Sequence, residues 1–233
     1  MQIPKYPGAV PVSAPVGIAV LLIAFCPVQA QATTIVFNTL GPGDTYLSTS
    51  GFAVVGVGAL GVLEEVAAQF TAMTSGNLAT VDLGLTFASG HTPGAVNVFL
   101  YADSAGSPNN AIQTFLGSGT PTAAFGTTNN SLVSFTVAGT VPVVMGTDYW
   151  LVLKPANVNE RVAVNWMQSL ATAGSVKASF DDSTWVDNGE PILPAFRITA
   201  QGAAVPDGSS TSALLAIAIA VMFELNLLQR KLD

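Results

Sequence analysis

The chain has 233 residues, with seven Lys and Arg against fourteen Asp and Glu, a net charge of −7 and one cysteine. That acidic balance argues against nucleic acid or an anionic lipid surface as a partner of the folded body. A single cysteine excludes an internal disulfide framework, so stability has to come from a packed core.

The first segment reads as an export leader. Lys5 gives a thin positive start, Val16 to Phe25 is a short apolar run, and Ala30-Gln31-Ala32 has the small-x-small pattern of a cleavage site. Cleavage there makes residues 1–32 a signal peptide and starts the mature protein at Thr33. Val28-Gln29-Ala30 is the alternative site, slightly earlier. The apolar run is too short for a permanent span. Cys26 falls inside the leader, and the bulky Phe25 before it does not suit a lipoprotein cleavage site. The mature protein is therefore expected to carry no thiol.

Residues 33–204 make one domain's length, enough for a proper core. Val62 to Ala72 contains Glu64-Glu65 and several alanines, which allows a helix. Phe70, Thr71 and Met73 running into Gly76-Asn77 favour a strand over Ala67 to Met73. Further on, Val81, Leu83, Leu85 and Phe87 alternate with Asp82, Gly84 and Thr86, the signal of a half-buried strand. Val96, Val98 and Leu100 repeat the pattern, followed by the turn-rich stretch Asp103 to Asn110. Val133, Phe135 and Val137 form another strand. Tyr149, Leu151 and Leu153 alternate with Trp150 and Val152. Val162, Val164 and Trp166 continue the series, and Phe196 and Ile198 close it. About ten short strands with frequent turns predict an all-β, two-layer β-sandwich. A jelly-roll-like topology is preferred over an immunoglobulin-like one, which the pattern does not separate from it.

The residues that could carry chemistry are few. His91 lies between Gly90 and Thr92-Pro93-Gly94 and reads as a loop histidine; one histidine without cysteine does not make a zinc site. Asp181-Asp182, Asp187, Asn188 and Glu190 surround Trp185 and offer several oxygen ligands, so calcium is the one cation to consider. They lack a regular ligand spacing, and a solvated acidic hairpin with Trp185 packed on the sheet is the preferred reading. Asp103 with Asn109 and Asn110 is a weaker turn of the same kind. Glycoside hydrolysis needs two facing carboxylates. Glu64 and Glu65, if extended, point to opposite faces. No Gly-x-Ser-x-Gly, phosphate loop or metalloprotease motif is present. The expectation is a non-catalytic protein with no metal centre. Trp150, Trp166, Trp185, Tyr101 and Tyr149 could stack on sugar rings. Trp166 belongs to an alternating strand and the core, which leaves Trp185 and Trp150 as candidate glycan contacts.

The last segment, residues 205–233, reads as a sorting and anchoring tail. Pro206 and Gly208 break the fold. Ser212 to Leu228 measures about 25 Å as a helix, near the lower limit for a ~30 Å hydrocarbon core. Arg230 and Lys231 follow, favouring a cytoplasmic side for that flank. Glu224 and Asn226 are polar interruptions near that end. Val205-Pro206-Asp207-Gly208 with Ser210-Thr211, then the apolar run and the basic pair, resembles a PEP-CTERM sorting signal of Gram-negative bacteria, in its Val-Pro-Asp variant. The resemblance implies export, a transmembrane helix in the tail, an exosortase as processing partner, and association with exopolysaccharide or biofilm matrix. Two basic residues stand where an arginine cluster is usual, which bears on processing more than on targeting.

The body carries a second resemblance. Ala68-Gln69-Phe70-Thr71, the strand running to Ser89-Gly90, Val98-Phe99-Leu100-Tyr101-Ala102-Asp103 with Gly106 and Pro108, and Asp148-Tyr149-Trp150-Leu151-Val152-Leu153 are similar to choice-of-anchor β-sandwich domains. Those domains occur in secreted bacterial proteins with varied anchoring tails. The resemblance implies architecture and transfers no site. Together these readings describe a secreted, surface-sorted, non-catalytic structural protein at the cell surface or in the extracellular matrix. The alternative is a surface-displayed carbohydrate-binding module.

Overall fold

The computed structural model describes residues 32–201 apart from 89, 90, 92 and 160, together with Ala218. The leader 1–31 and the tail residues Val205, Pro206, Asp207, Gly208, Arg230 and Lys231 lie outside the described residues. Among the described residues no helix is long and apolar enough to cross a membrane.

Fourteen strands follow one another among the described residues: β1 (Thr33–Asn38), β2 (Gly51–Val55), β3 (Glu65–Thr71), β4 (Gly76–Phe87), β5 (Val96–Asp103), β6 (Pro108–Gly119), β7 (Leu132–Thr136), β8 (Pro142–Val143), β9 (Asp148–Pro155), β10 (Ala163–Ala173), β11 (Val176–Ser179), β12 (Trp185–Asp187), β13 (Ile192–Pro194) and β14 (Phe196–Gln201). One helical turn, α1 (Val57–Leu60), stands between β2 and β3. The strands form two antiparallel sheets. One has the path β1-β14-β4-β10-β13, with β2 paired to β10 and β7 and β8 paired to β4; the other runs β12-β11-β3-β9-β5-β6. The all-β, two-sheet expectation therefore holds, with more strands than the alternation revealed.

The main core lies between the sheets. Val81, Leu83 and Leu85 of β4, Val98 of β5, Leu151 and Leu153 of β9, Trp166 of β10 and Phe196 and Ile198 of β14 meet there and are buried. Fully burying one such aliphatic side chain stabilises the fold by about 1.5–3 kcal/mol. A row of rings, Phe37, Phe196, Phe70 and Tyr149, closes one end, with successive centroids 5.3, 6.1 and 5.8 Å apart. Ala67 to Thr71 are extended, so the strand reading of that stretch is the observed one.

The half-buried reading of β4 needs correction. Asp82 and Thr86, expected on a solvent face, are 7% and 0% exposed. The segment between β1 and β2 folds over that face. It brings Leu40 and Tyr46 against Met167 and Ala195 to make a second apolar cluster. Gly84 is what permits this: a Cβ there would stand 2.8 Å from the Tyr46 ring and 3.1 Å from Ala195. Arg197 binds Asp82 through Nε and Nη2 at 3.0 and 2.8 Å and reaches Asp44 at 2.6 Å, which satisfies the buried carboxylate. Phe87, at the end of the strand, is only partly buried.

The stretch Asp103 to Asn110 also resolves differently. Ser104 and Ser107 exchange both backbone hydrogen bonds around Ala105 and Gly106, whose φ values are 51° and 77°. That is the two-residue hairpin turn whose twist matches the strands. Strand β6 therefore begins at Pro108, inside what reads as loop.

Candidate functional site

The outer face of the six-stranded sheet gathers most of the residues with chemical character. Alternation on β9 sends Leu151 and Leu153 to the core and Trp150, Val152 and Lys154 outward. In register with them, β3 presents Ala67 beside Val152 and Gln69 beside Trp150. From the other side β5 presents Phe99 beside Val152 and Tyr101 beside Trp150. Ala67, Tyr101, Trp150 and Val152 are buried together, with Phe99 and Trp185 packed on them.

What buries this face is the β11–β12 hairpin. Its connecting residues, Phe180 to Thr184, and Trp185 act as a strap. Trp185 lies edge-on to Tyr101 at 6.3 Å and donates its Nε1–H to Asn110 Oδ1 at 2.9 Å. Asn110 in turn donates to the Ser183 carbonyl at 2.6 Å. Asp182 pairs with Lys154. Three separate attachments therefore tie the strap to β5, β6 and β9.

Trp150 is thus corrected as a glycan contact. It is 0% exposed, and its Nε1–H donates to Asp103 Oδ1 at 2.7 Å. A central strand covered on both faces offers no ring to a sugar. Trp185 is partly buried and anchors the strap, so part of its ring is committed to the fold. The exposed large aromatics on this side are Phe115, at 53%, and Phe180, at 55%. Phe115 sits beside Phe99 at 5.5 Å. It escaped sequence reading because β6 shows no clean alternation.

Beneath the strap is an ion cluster that the pattern did not reveal. Glu65 is 1% exposed, and the Lys154 ammonium is 3.4 Å from its Oε2 without hydrogen-bond geometry. Burial raises the Glu65 pKa, against the opposing pull of Lys154, to about 7. Burial alone would lower the Lys154 pKa. Its hydrogen bonds to Asp182 and Tyr101 and the Glu65 charge outweigh that, and the net shift is upward. The Lys154 ammonium also stands over the Phe99 and Tyr101 rings at 5.7 and 5.5 Å. Glu64, by contrast, bridges to Val55 and does not join Glu65. Glu64 and Glu65 are successive extended residues, which point to opposite faces.

The acidic hairpin does not assemble a cation site. Asp181 accepts the Thr184 N–H at 2.6 Å, the Thr184 hydroxyl at 2.8 Å and the Ser183 N–H at 2.9 Å. Those bonds, the Thr184 N–H foremost, hold its carboxyl well below the usual range. Asp182 faces Lys154 and Asp187 faces Lys177 at 3.2 Å. Asp187 and Glu190 line a shallow groove of about 360 Å³ with Gly174, Ser175 and Pro191. Asp103 is occupied by Trp150, by Gln69 at 3.1 Å and by the Gly106 N–H at 3.1 Å. His91 lies in the bend between β4 and β5. Among the described residues no three His, Cys, Asp or Glu side chains converge as metal ligands would.

No family model matches the chain, and no curated protein matches it. One solved structure that it resembles holds the cysteine protease and lectin-like domains of Cwp84, a surface layer associated protein of Clostridium difficile. Identity is 14% and the TM-score 0.43, over 60% of this chain and 32% of that one. The chain thus spans about a third of that protein's length, and a likeness of this degree carries no argument about function.

Proposed function

We propose that this chain is an exported, surface-sorted structural protein of a Gram-negative bacterium. Its non-catalytic β-sandwich stands at the cell surface or in the exopolysaccharide matrix. The observation that carries the reading is the outer face of the six-stranded sheet. Under the strap Trp150 is bound to Asp103 and Lys154 is paired with Asp182, as a scaffold requires. The two antiparallel sheets, with β1 paired to β14 far along the chain, support a β-sandwich with non-local strand connections, which both jelly-roll-like and immunoglobulin-like arrangements share.

The sorting half of the reading rests on residues: Ala30-Gln31-Ala32, the Val205-Pro206-Asp207-Gly208 motif, the apolar run after it, and Arg230-Lys231. They support an exosortase-type enzyme as processing partner and a membrane-inserted tail. The test is fractionation. Protein lacking Ser212 to Asp233 should move from the envelope to the medium, and the mature chain should start at Thr33 or Gln31. Truncated protein retained like the full chain, or full chain recovered from the cytoplasm with Met1 intact, would overturn it.

The second reading, a surface-displayed carbohydrate-binding module, draws on Trp185, whose ring the fold covers only in part. Saturable retention of the residue 33–204 domain on a polysaccharide, lost in Trp185→Ala, would favour it over the scaffold.

A further inference from the structure

We propose that Lys154 and Asp182 become joined by an isopeptide bond, with the Glu65 carboxyl as the proton relay that forms it. The three side chains come from three elements under the strap. Glu65 opens β3, Lys154 is on β9, and Asp182 lies in the loop between β11 and β12. The Lys154 ammonium touches Asp182 Oδ1 and stands 3.4 Å from Glu65 Oε2, so one nitrogen faces both carboxyls. Rings enclose it on the sheet side, Phe99 at 5.7 Å and Tyr101 at 5.5 Å. Asp182 is the outermost of the three, with its side chain 60% exposed, which leaves a departing water its way out.

Two features go beyond an ordinary ion pair. Glu65 is 1% exposed, and its Oε2 has no hydrogen-bond partner among the described residues. A buried polar atom left unpaired is costly and calls for a role. Asp182 has φ 61°, in the left-handed region that a non-glycine residue rarely adopts. Asp181 ties down the turn around it through Ser183 and Thr184. The loop thereby holds the Asp182 carboxyl against the amine. An exposed ion pair is worth too little to require either feature.

The step is a condensation. One ammonium proton passes to the Asp182 carboxylate, which leaves a free amine beside a carboxylic acid. Lys154 Nζ attacks Asp182 Cγ; the Nζ–Cγ bond forms and one Cγ–O bond breaks. Glu65 takes a second proton from the nitrogen and gives it to the leaving oxygen, which departs as water, and the third proton stays on the amide. Glu65 ends as it began. Burial raises its pKa to about 7 against the pull of Lys154, with the Asp182 charge adding to the rise. Near neutral pH it therefore both accepts and gives a proton. Against the lowering by burial, the Asp182 and Tyr101 hydrogen bonds hold Lys154 as its ammonium, so the free amine is scarce and the step slow. One turnover per chain is enough. Reactants held in contact reach effective molarities of about 10⁵–10⁸ M, which also favours the amide over its hydrolysis. With the bond formed the Lys154 charge is gone, and the Glu65 titration that the ammonium opposes belongs to the unlinked chain. A chain with one cysteine has no internal disulfide open to it, and this bond fastens the strap to β9 in place of one.

The test is the intact mass and the tryptic map of the folded full chain. Trypsin cleaves after Arg161 and Lys177, which separates Lys154 from Asp182 unless they are bonded. The wild type should be lighter by one water than its sequence between the observed ends. Its fragment ending at Arg161 should stay joined to fragment 178–197 after boiling in detergent. Lys154→Arg and Asp182→Ala should have the full mass and separable fragments. Glu65→Gln should slow linking, followed in pulse-labelled chains, by about 100-fold or more. Its tryptophan emission should stay shielded from acrylamide, which separates a lost relay from a lost fold. The bond needs the fold alone, so the test stands whichever way the tail sorts the chain. A folded wild type at full mass overturns the proposal. So does a loss of water with separable fragments, which marks an aspartate succinimide. Linking of Glu65→Gln at the wild-type rate overturns the part assigned to Glu65.

Discussion

Lys154 holds its ammonium 3.4 Å from the carboxylate of Glu65, a side chain that the strap and sheet leave 1% exposed. Burial wins over that attraction and raises the Glu65 pKa from 4.5 to about 7. The folded state therefore holds a proton there that the unfolded chain releases at lower pH. Its contribution to stability is fully present below about 4.5 and is lost as pH rises through about 7. Glu65→Gln keeps the side chain neutral throughout. Thermal midpoints measured against pH should show the wild type falling relative to Glu65→Gln across that window and running parallel above it. Lys154→Met removes a group that lowers the Glu65 pKa, so the window should move to higher pH. Parallel wild-type and Glu65→Gln curves across the window would remove the buried-acid account.

Trp185 is the strap's central attachment, so its removal should be read in two places. Trp185→Ala loses the edge-on contact with Tyr101 and the hydrogen bond to Asn110, worth roughly 1–3 kcal/mol together. Trp150 and Trp166 are both 0% exposed, and only Trp150 lies in the cluster beneath the strap. Acrylamide should therefore quench the remaining tryptophan emission of Trp185→Ala more strongly than two buried rings allow. A denaturation midpoint equal to the wild type, with emission still shielded, would show that the strap stays closed without Trp185.

The sequence made the two-sheet architecture readable where one face of a strand meets the core and the other meets water. Val96, Val98 and Leu100, or Val133 and Phe135, show it. Legibility failed where a strand has no water face or hardly any core face. On β9 both sets of alternating residues are buried, so Trp150 reads as a candidate for exposure although the strap covers it. Strand β6 is the opposite case: five exposed residues break the alternation, and the turn residues before it extend the apparent loop to Asn110. The Glu65–Lys154–Asp182 cluster joins positions far apart in the chain, and nothing in the spacing marks them as neighbours. The only hint of a buried acid is that Glu65 directly precedes the largely apolar stretch Val66 to Phe70. The acidic hairpin was visible as composition. That its carboxylates serve a turn and two lysines was not.

Leu83 and Gly84 are adjacent on β4 and test its two faces separately. Leu83 is 0% exposed between the sheets, and Leu83→Ala should cost roughly 2–5 kcal/mol, with the spread set by how far the site collapses. Gly84 points the other way, under the Tyr46 ring. A side chain there meets Tyr46 at 2.8 Å and Ala195 at 3.1 Å, so Gly84→Val should cost roughly 1–3 kcal/mol by overpacking. The two losses have different signatures. Leu83→Ala weakens the main core and leaves the Tyr46 environment intact. Gly84→Val displaces the ring, whose hydroxyl donates to the Ser131 carbonyl at 3.0 Å. Near-ultraviolet circular dichroism of the tyrosine band should change in Gly84→Val and hold in Leu83→Ala at temperatures where both are folded. Replacing Tyr46 by Leu in the Gly84→Val chain should then recover part of the lost stability, because the smaller side chain makes room for the new one. Strictly additive losses in the double variant would mean that Tyr46 does not cover β4 at Gly84.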